Sequence, residues 1–327
     1  GATGTGQVEG IISDGPFTGG VTALRKIENG TWTLSAANSY TGITTLNAGT
    51  LRINTPGSLH SSSAVTVNAA TLGGDGSIGG SVTVNASGRV APGAASGSAG
   101  TLAIGGGLTV TALTTGTGKL VFELNTPTAS DRITVGGTFT FGTSTLGIDD
   151  FTFTALSGLA AGTYKLITAT AISGTLDPTK LTSTIGGYNA SLSLSGNDLE
   201  LTLTSAYATW QTLNGATSTI SSDHDNDGVP DGIEYFLGGS NTNTTGQTPL
   251  PAIINNSGTL SITWTKGAGY LGVYGTDYLI ETTTTLTSTW TPETLGVNVT
   301  LTGSNLTYTF PSASGDRRFV RLKVMAQ

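Results

Sequence analysis

Short runs that alternate apolar residues with threonine or serine fill the first two-thirds of this chain, and glycine, asparagine or serine closes each one. Thr31–Leu34, Thr50–Ile53, Ala64–Val67, Ser81–Val84, Thr101–Ile104 and Leu108–Val110 are of this kind. Val-Thr-Val-Asn-Ala occurs at 65–69 and again at 82–86, and Gly-Thr-Leu or a close variant begins at Gly30, Gly49 and Gly100. A spacing of roughly 17–20 residues between equivalent runs is the mark of a repeat architecture, in which each unit buries its apolar face only by stacking on the next. Alternation within a run predicts strands with one buried and one wet face. No convincing helical period occurs before residue 205. The hairpin chemistry a sandwich would need, such as Asn-Gly between paired strands, is scarce here. These observations predict an all-β chain whose residues 21–204 form a parallel β-helix, preceded by an N-terminal extension over 1–20.

The residues at 29–53, NGTWTLSAANSYTGITTLNAGTLRI, resemble the autotransporter-associated β-strand repeat. Its pattern of Gly, Leu, Leu, Asn, Tyr, Gly, Thr, Gly and Leu is filled by Gly30, Trp32 (at the first Leu position), Leu34, Asn38, Tyr40, Gly42, Thr44, Gly49 and Leu51. Residues 74–113 and 161–204 resemble later parts of such passenger domains more loosely. The resemblance implies a right-handed β-helix at the cell surface or outside the cell. No outer-membrane barrel pattern follows the repeats in these residues, so the resemblance does not extend to secretion through an attached barrel.

Composition narrows the chemistry. The chain has 327 residues, 49 of them glycine, no cysteine and only 10% charged residues. Disulfides, thiolate metal sites and a cysteine nucleophile are therefore excluded. A net charge of −7 argues against nucleic acid, which selects basic grooves. No apolar run approaches the ~18 residues of a membrane span. A chain starting at Gly1 without Met reads as a mature secreted protein whose signal has been removed.

Against this low charge, residues 223–234 hold five of the twenty acidic residues. Asp223, Asp225, Asp227, Gly228 and Glu234 fit D-x-[DN]-x-[DN]-G-x5-E, with Asp231 at the ninth position. Carboxylates this close repel unless a cation neutralises them, and Ca²⁺ takes six to eight oxygens. The spacing assigns one oxygen each to Asp223, Asp225 and Asp227, the carbonyl of Val229, a water-mediated contact to Asp231 and both oxygens of Glu234. Pro230 stands where an EF-hand carries the apolar residue that pairs with a second loop. The loop thus resembles the lone braces of dockerins and thrombospondin type 3 repeats. The expectation is a calcium-binding connector over 205–245, with helices at Ala206–Leu213 and Gly232–Leu237, bracing two domains.

Beyond Pro249 and Pro251, strand signals return at Leu260–Trp264, Asp277–Thr282, Val297–Leu301, Leu306–Phe310 and Phe319–Val324. Over 246–327 they predict a small antiparallel sandwich of immunoglobulin or fibronectin type. The loop followed by such a module resembles the C-terminal modules of large secreted proteins of Verrucomicrobia-like bacteria.

A catalytic site finds little support. Outside the loop the acids Glu28, Asp75, Glu123, Asp131 and Asp177 are scattered singly, and Asp149 and Asp150 are adjacent in a predicted turn. Of two histidines, His60 lies in a predicted loop and His224 at a non-ligand position. Gly74-Asp75-Gly76-Ser77-Ile78-Gly79 fits G-x-G-x-x-G, but a strand signal follows it where a nucleotide site needs a helix. Trp264, Tyr270, Tyr274, Tyr278 and Trp290 are candidates for a sugar-stacking platform, with core packing as the commoner fate of such residues. Arg317 and Arg318, with Arg321 and Lys323, are candidates for contact with an acidic neighbour, or else for charges that protect an edge strand. The reading is a secreted, non-catalytic structural protein that polymerises through its β-helix ends or its N-terminal strand. An adhesin that binds a surface glycan, and a β-helix polysaccharide-degrading enzyme, are the alternatives.

Overall fold

The computed structural model describes residues 4–325 except 18, 112–117, 142–144, 216–218, 240–249, 287–288 and 312–316. The chain divides into two compact units, Gly1–Leu203 and Thr204–Gln327.

The first unit is a parallel β-helix. Its opening coil contributes β1 (Thr5–Val8) and β2 (Leu24–Lys26), and the next β3 (Thr31–Leu34) and β4 (Thr44–Leu46). A third strand per coil then enters. The third coil holds β5 (Thr50–Ile53), β6 (Ser58–Leu59) and β7 (Val65–Val67), and the fourth β8 (Thr71–Gly74), β9 (Ser77–Ile78) and β10 (Val82–Val84). The fifth holds β11 (Arg89–Pro92), β12 (Thr101–Ile104) and β13 (Leu108–Val110). The sixth has β14 (Leu120–Leu124) and a long β15 (Arg132–Thr140), the seventh β16 (Phe151–Ala155) and β17 (Gly162–Ser173). One parallel sheet runs β1-β3-β5-β8-β11-β14-β16. Its register steps from Thr31 to Thr50, Thr71 and Arg89, which sets the repeat length read from the sequence.

The conserved geometry of each coil explains its residues. Inward positions stack in columns such as Leu46, Val67, Val84 and Val110, all fully buried. Outward columns such as Thr45, Thr66, Thr83 and Thr109 stay half exposed. At the turn after them, the amides of Asn47, Asn68 and Asn85 stack 2.8 and 2.7 Å apart. The repeat's signature residues tie coils together. Asn38 is buried and reaches three of them. Its Oδ1 accepts the Ile12 N–H at 3.0 Å, and its amide donates to Ala36 O at 2.8 Å and Ser58 O at 3.1 Å. Tyr40 is fully enclosed and its hydroxyl lies 2.7 Å from that of Thr44. A side chain at Gly42 would overlap the Thr22 carbonyl of the preceding coil. In the G-x-G-x-x-G segment, Gly74 (φ 115°), Gly76 and Gly79 each lie against backbone of the preceding coil, so these glycines serve close stacking.

Two features differ from the sequence expectation. The stretch read as an extension is part of the solenoid, because β1 pairs in parallel with β3 of its own chain, Thr5 to Thr31 through Val8 to Leu34. At the other end, the parallel pattern stops. After β17 come β18 (Thr182–Ile185), β19 (Tyr188–Ser195) and β20 (Asp198–Ser205), which extend the second sheet in the order β17-β20-β19-β18. The β17–β20 and β18–β19 pairs are antiparallel. A return hairpin needs only a tight turn, here Gly186-Gly187 with both φ positive, whereas another parallel coil needs a full crossover.

The second unit starts with α1 (Ala206–Asn214) and α2 (Asp231–Leu237). Ser205 caps α1 by accepting the Ala208 N–H at 2.9 Å, and Gly215 ends it in the left-handed region. Seven strands follow: β21 (Ile253–Asn256), β22 (Thr259–Thr265), β23 (Tyr278–Thr283), β24 (Thr291–Pro292), β25 (Val299–Thr302), β26 (Asn305–Thr309) and β27 (Phe319–Val324). They form two antiparallel sheets, β21-β22-β26-β25 and β24-β23-β27, as in a sandwich. Their shared core includes Trp264, Val299, Leu306 and Tyr308 from one sheet and Tyr278, Ile280 and Leu322 from the other. Helix α2 adds Tyr235 and Phe236 to this core. The segment expected to be a separate connector is therefore part of the C-terminal unit. Pro249, expected to mark a linker, lies outside the described residues.

Candidate functional site

The acidic loop closes on itself before α2. Asn226 (φ 61°) and Gly228 (φ 95°) take left-handed conformations, which turn the chain sharply twice within three residues. This folding brings one carboxylate oxygen from each of Asp223, Asp225 and Asp227 within 4.8 Å of one another. Backbone N–H groups hold the carboxylates in place: Gly228 donates to Asp223 at 2.9 Å, Asp227 to Asp225 at 3.2 Å, and Val229 to Asp227 at 2.8 Å. Asp225 Oδ2 and Asp227 Oδ2 are buried and accept no hydrogen bond among the described residues. Three carboxylates, two of them with an oxygen that accepts nothing, fit a hard cation.

The other two predicted acids lie in the first turn of α2, which follows the loop. Asp231 is fully buried, and its Oδ1 accepts the His224 N–H at 2.9 Å, latching the loop's start to the first turn of α2. Glu234 is also buried, on α2, and the Val229 side chain is buried. The structure thus brings Asp223, Asp225 and Asp227 together and carries Asp231 and Glu234 on the helix that follows. Their charge reaches the aromatic core: burial, then Asp231 and Glu234, push the Tyr207 hydroxyl up to about 12.

The aromatic candidates make no open row. Trp264 and Tyr270 are each only 5% exposed and lie in the core. Tyr274 is half-buried, and its hydroxyl donates to Glu293 O at 2.7 Å. Trp290 is half-buried with the Arg321 guanidinium 4.2 Å from its ring centre. Arg318 donates to the Tyr308 hydroxyl at 3.2 Å, while Arg317 is exposed. Arg321 and Lys323 both pair with the buried Glu281.

Two acids left isolated by the sequence reading come together. Asp131 Oδ2 accepts the Glu123 N–H at 2.8 Å and its Oδ1 the Gly100 N–H at 2.8 Å, while Glu123 accepts the Gly97 N–H at 2.6 Å. Both are buried and pin the Gly/Ala/Ser loop between β11 and β12. Asp149 and Asp150 lie in a single 3₁₀ turn, Ile148–Asp150, where Asp149 pairs with Lys180 at 2.9 Å and Asp150 accepts the Gly147 N–H.

Sequence reasoning also missed a cleft at the last coil. It measures about 500 Å³ and lies between β16 and β18, with Phe151, Phe153 and Ile185 among its lining. Only the topology reveals it, since its walls are about 30 residues apart in sequence.

Residues 24–53 match the passenger-associated-transport-repeat family. The match spans the coil-to-coil segment containing Asn38, Tyr40 and Gly42, so these residues carry a repeat of autotransporter passenger type. No curated protein matches the chain. No helix among the described residues is long and apolar enough to cross a membrane.

Proposed function

We propose that this is a secreted or surface-displayed, non-catalytic structural protein that self-assembles end to end into a filament or matrix and binds Ca²⁺ in its C-terminal unit. One observation carries the assembly reading. Among the described residues the seven-stranded parallel sheet ends at both sides in strands with an unpaired edge, β1 and β16, and neither strand contains a charged residue. Proteins that must stay apart protect such edges with charges, prolines or bulges. The two edges differ from one another, so joining one to the other is a heterologous contact, which gives an open filament unless its rotation closes a ring. The passenger-type repeat supports an extracellular setting.

The non-catalytic reading is supported by the tasks of the buried acids. Glu123, Asp131 and Asp150 accept backbone N–H groups that hold loops and turns. The all-oxygen triad and the loop spacing favour Ca²⁺ over softer metals. With α2 in the aromatic core, binding would brace the C-terminal unit, and external calcium would keep the site loaded.

The test is negative-stain electron microscopy of the purified chain in millimolar calcium, with a chelated control. Regular fibres are expected. Dispersed single particles at high protein concentration would sink the assembly reading, and fibres indifferent to chelation would separate calcium from it.

A further inference from the structure

We infer that the cleft between β16 and β18 is an acceptor for β1 of a second copy of this chain. The inference rests on the end-to-end reading above and names the two surfaces that would meet.

The cleft lies where an eighth coil would continue the parallel sheet. β16 pairs with β14 on one side only, Leu120 to Phe151 through Leu124 to Ala155, and β18 pairs only with β19. Two free strand edges therefore flank it. Its floor is apolar, with Phe151 and Phe153 stacked at 5.3 Å and Ile185 opposite. Its ionisable groups, Asp149 and Lys180, neutralise one another at 2.9 Å. A strand entering it should be short, uncharged and able to pair on both sides.

β1 meets those conditions. Thr5-Gly6-Gln7-Val8 has no charge, is exposed at three of its four residues, and is held by one ladder to β3. The described residues of 9–23 connect it to β2 without regular strand or helix, and Gly10, Gly15, Gly19 and Gly20 are among them. Ile12 and Asp14 are tied to the second coil through Asn38 and Thr41, so an exchange of β1 between copies would turn on residues 9–11, which include Gly10. In its own coil β1 pairs on one side; in the cleft it would pair on two, as in β-strand addition.

Side-chain alternation fixes the register. Gly6 and Val8 occupy the inward columns of Trp32 and Leu34. Gly6 has nothing to place over Trp32, which stays 41% exposed. In the cleft, Gly6 beside Phe151 and Val8 beside Phe153 would keep inward residues inward, and an aromatic ring would cover the glycine. Gln7 would then lie beside Thr152. The first coils also expose Ile11, Phe17 and Val21 by 66%, 83% and 65%. Contact between copies at this end would give such apolar surface a partner.

The test uses two full-length single variants, Gln7→Cys and Thr152→Cys, one of them isotope-labelled. The native chain has no cysteine, so any disulfide reports the engineered pair. Mixed under mild oxidation, they are expected to give a heterodimer joining labelled and unlabelled chains. Gln7→Cys mixed with Thr45→Cys, an outward residue of the second coil, should give at least tenfold less. A synthetic peptide of residues 4–10 should shorten fibres of the unsubstituted protein, and its scrambled version should not. Fibres without the heterodimer would overturn this interface and leave end-to-end assembly standing. Neither fibres nor heterodimer would overturn both. Circular dichroism of each variant establishes that it is folded before mixing.

Discussion

Asp131 accepts the backbone N–H of Glu123 at 2.8 Å, so two buried acids from one coil share a patch beneath the Gly93–Gly100 loop. Burial pushes the Asp131 carboxyl up to about 6, against the lowering effect of N–H bonds from Glu123 and Gly100; the Glu123 charge adds to the rise and Arg52 opposes it. A carboxyl raised above its unfolded value binds its proton more tightly when folded. Its contribution to stability is therefore fully present below about pH 4 and is lost as pH rises through about 6. Denaturant unfolding should show the solenoid gaining stability between pH 7.5 and pH 5, by roughly 1.4 kcal/mol from this group, with the remainder gained only below pH 5. Asp131→Asn should flatten that dependence. A midpoint that falls over the same range in the native chain and not in the variant would contradict this.

Asn38 should be the most sensitive polar residue of the repeat. It bonds to Ile12, Ala36 and Ser58, which lie in three successive coils. Asn38→Ala removes the acceptor of the Ile12 N–H, at about 1–3 kcal/mol, and takes one of two hydrogen bonds from Ala36 O and from Ser58 O, which keep their backbone donors. A loss of about 2–4 kcal/mol in chemical denaturation is expected, well above that of Asn85→Ala, which removes contacts at a half-exposed turn. Equal losses would show that the bridge adds nothing beyond a surface amide.

Chelation should act on the C-terminal unit. The triad's loop leads directly into α2, and Tyr235 of α2 lies 4.7 Å from Tyr270 and 5.4 Å from Tyr207, ring centre to ring centre. Any ion that binds only the folded loop stabilises it by mass action. Calcium should raise the temperature at which near-ultraviolet dichroism of this tyrosine cluster is lost. Asp225→Ala should abolish the rise while keeping the calcium-free transition. Isothermal calorimetry on the two proteins measures the binding directly; heat of binding unchanged in Asp225→Ala would remove the triad from the site.

Much of the architecture was legible because stacking leaves a periodic trace. The strands Thr31–Leu34, Thr50–Ile53 and Thr101–Ile104 have the bounds read from the sequence, since alternation and the closing glycine mark both sides of each. The paired glycines Gly79-Gly80, Gly105-Gly106 and Gly136-Gly137 stack on one another's coils for a steric reason that composition already hinted. The antiparallel turn at the end was not legible. Strands β17, β19 and β20 alternate like the rest, and alternation says nothing of direction. The acidic loop was legible as a spacing, and three of its carboxylates do come together. That Asp231 and Glu234 fall in the first turn of a helix depends on where α2 starts. The Glu123–Asp131 pair depends on where the coil turns, which no local pattern encodes.

The glycan-binding alternative makes a different demand of the C-terminal unit, and two tryptophans separate it from core packing. Trp264 lies in the core between the sheets, paired through β22 to Leu306 of β26. Truncating a buried aromatic costs about 3–5 kcal/mol, so Trp264→Ala should unfold this unit or leave it barely stable. Trp290 is half-buried, and its ring carries the Arg321 guanidinium, itself bonded to Glu281 at 2.8 Å. A cation over a partly exposed ring contributes about 0.5–1 kcal/mol. Trp290→Ala should therefore keep the fold at a cost of about 1–2 kcal/mol, most of it lost ring burial. If this unit binds polysaccharide through its aromatics, Trp290→Ala is the variant that loses retention on a glycan column while remaining folded. Unchanged retention in that variant would locate any glycan contact elsewhere, because Trp264 and Tyr270 have no open face to offer.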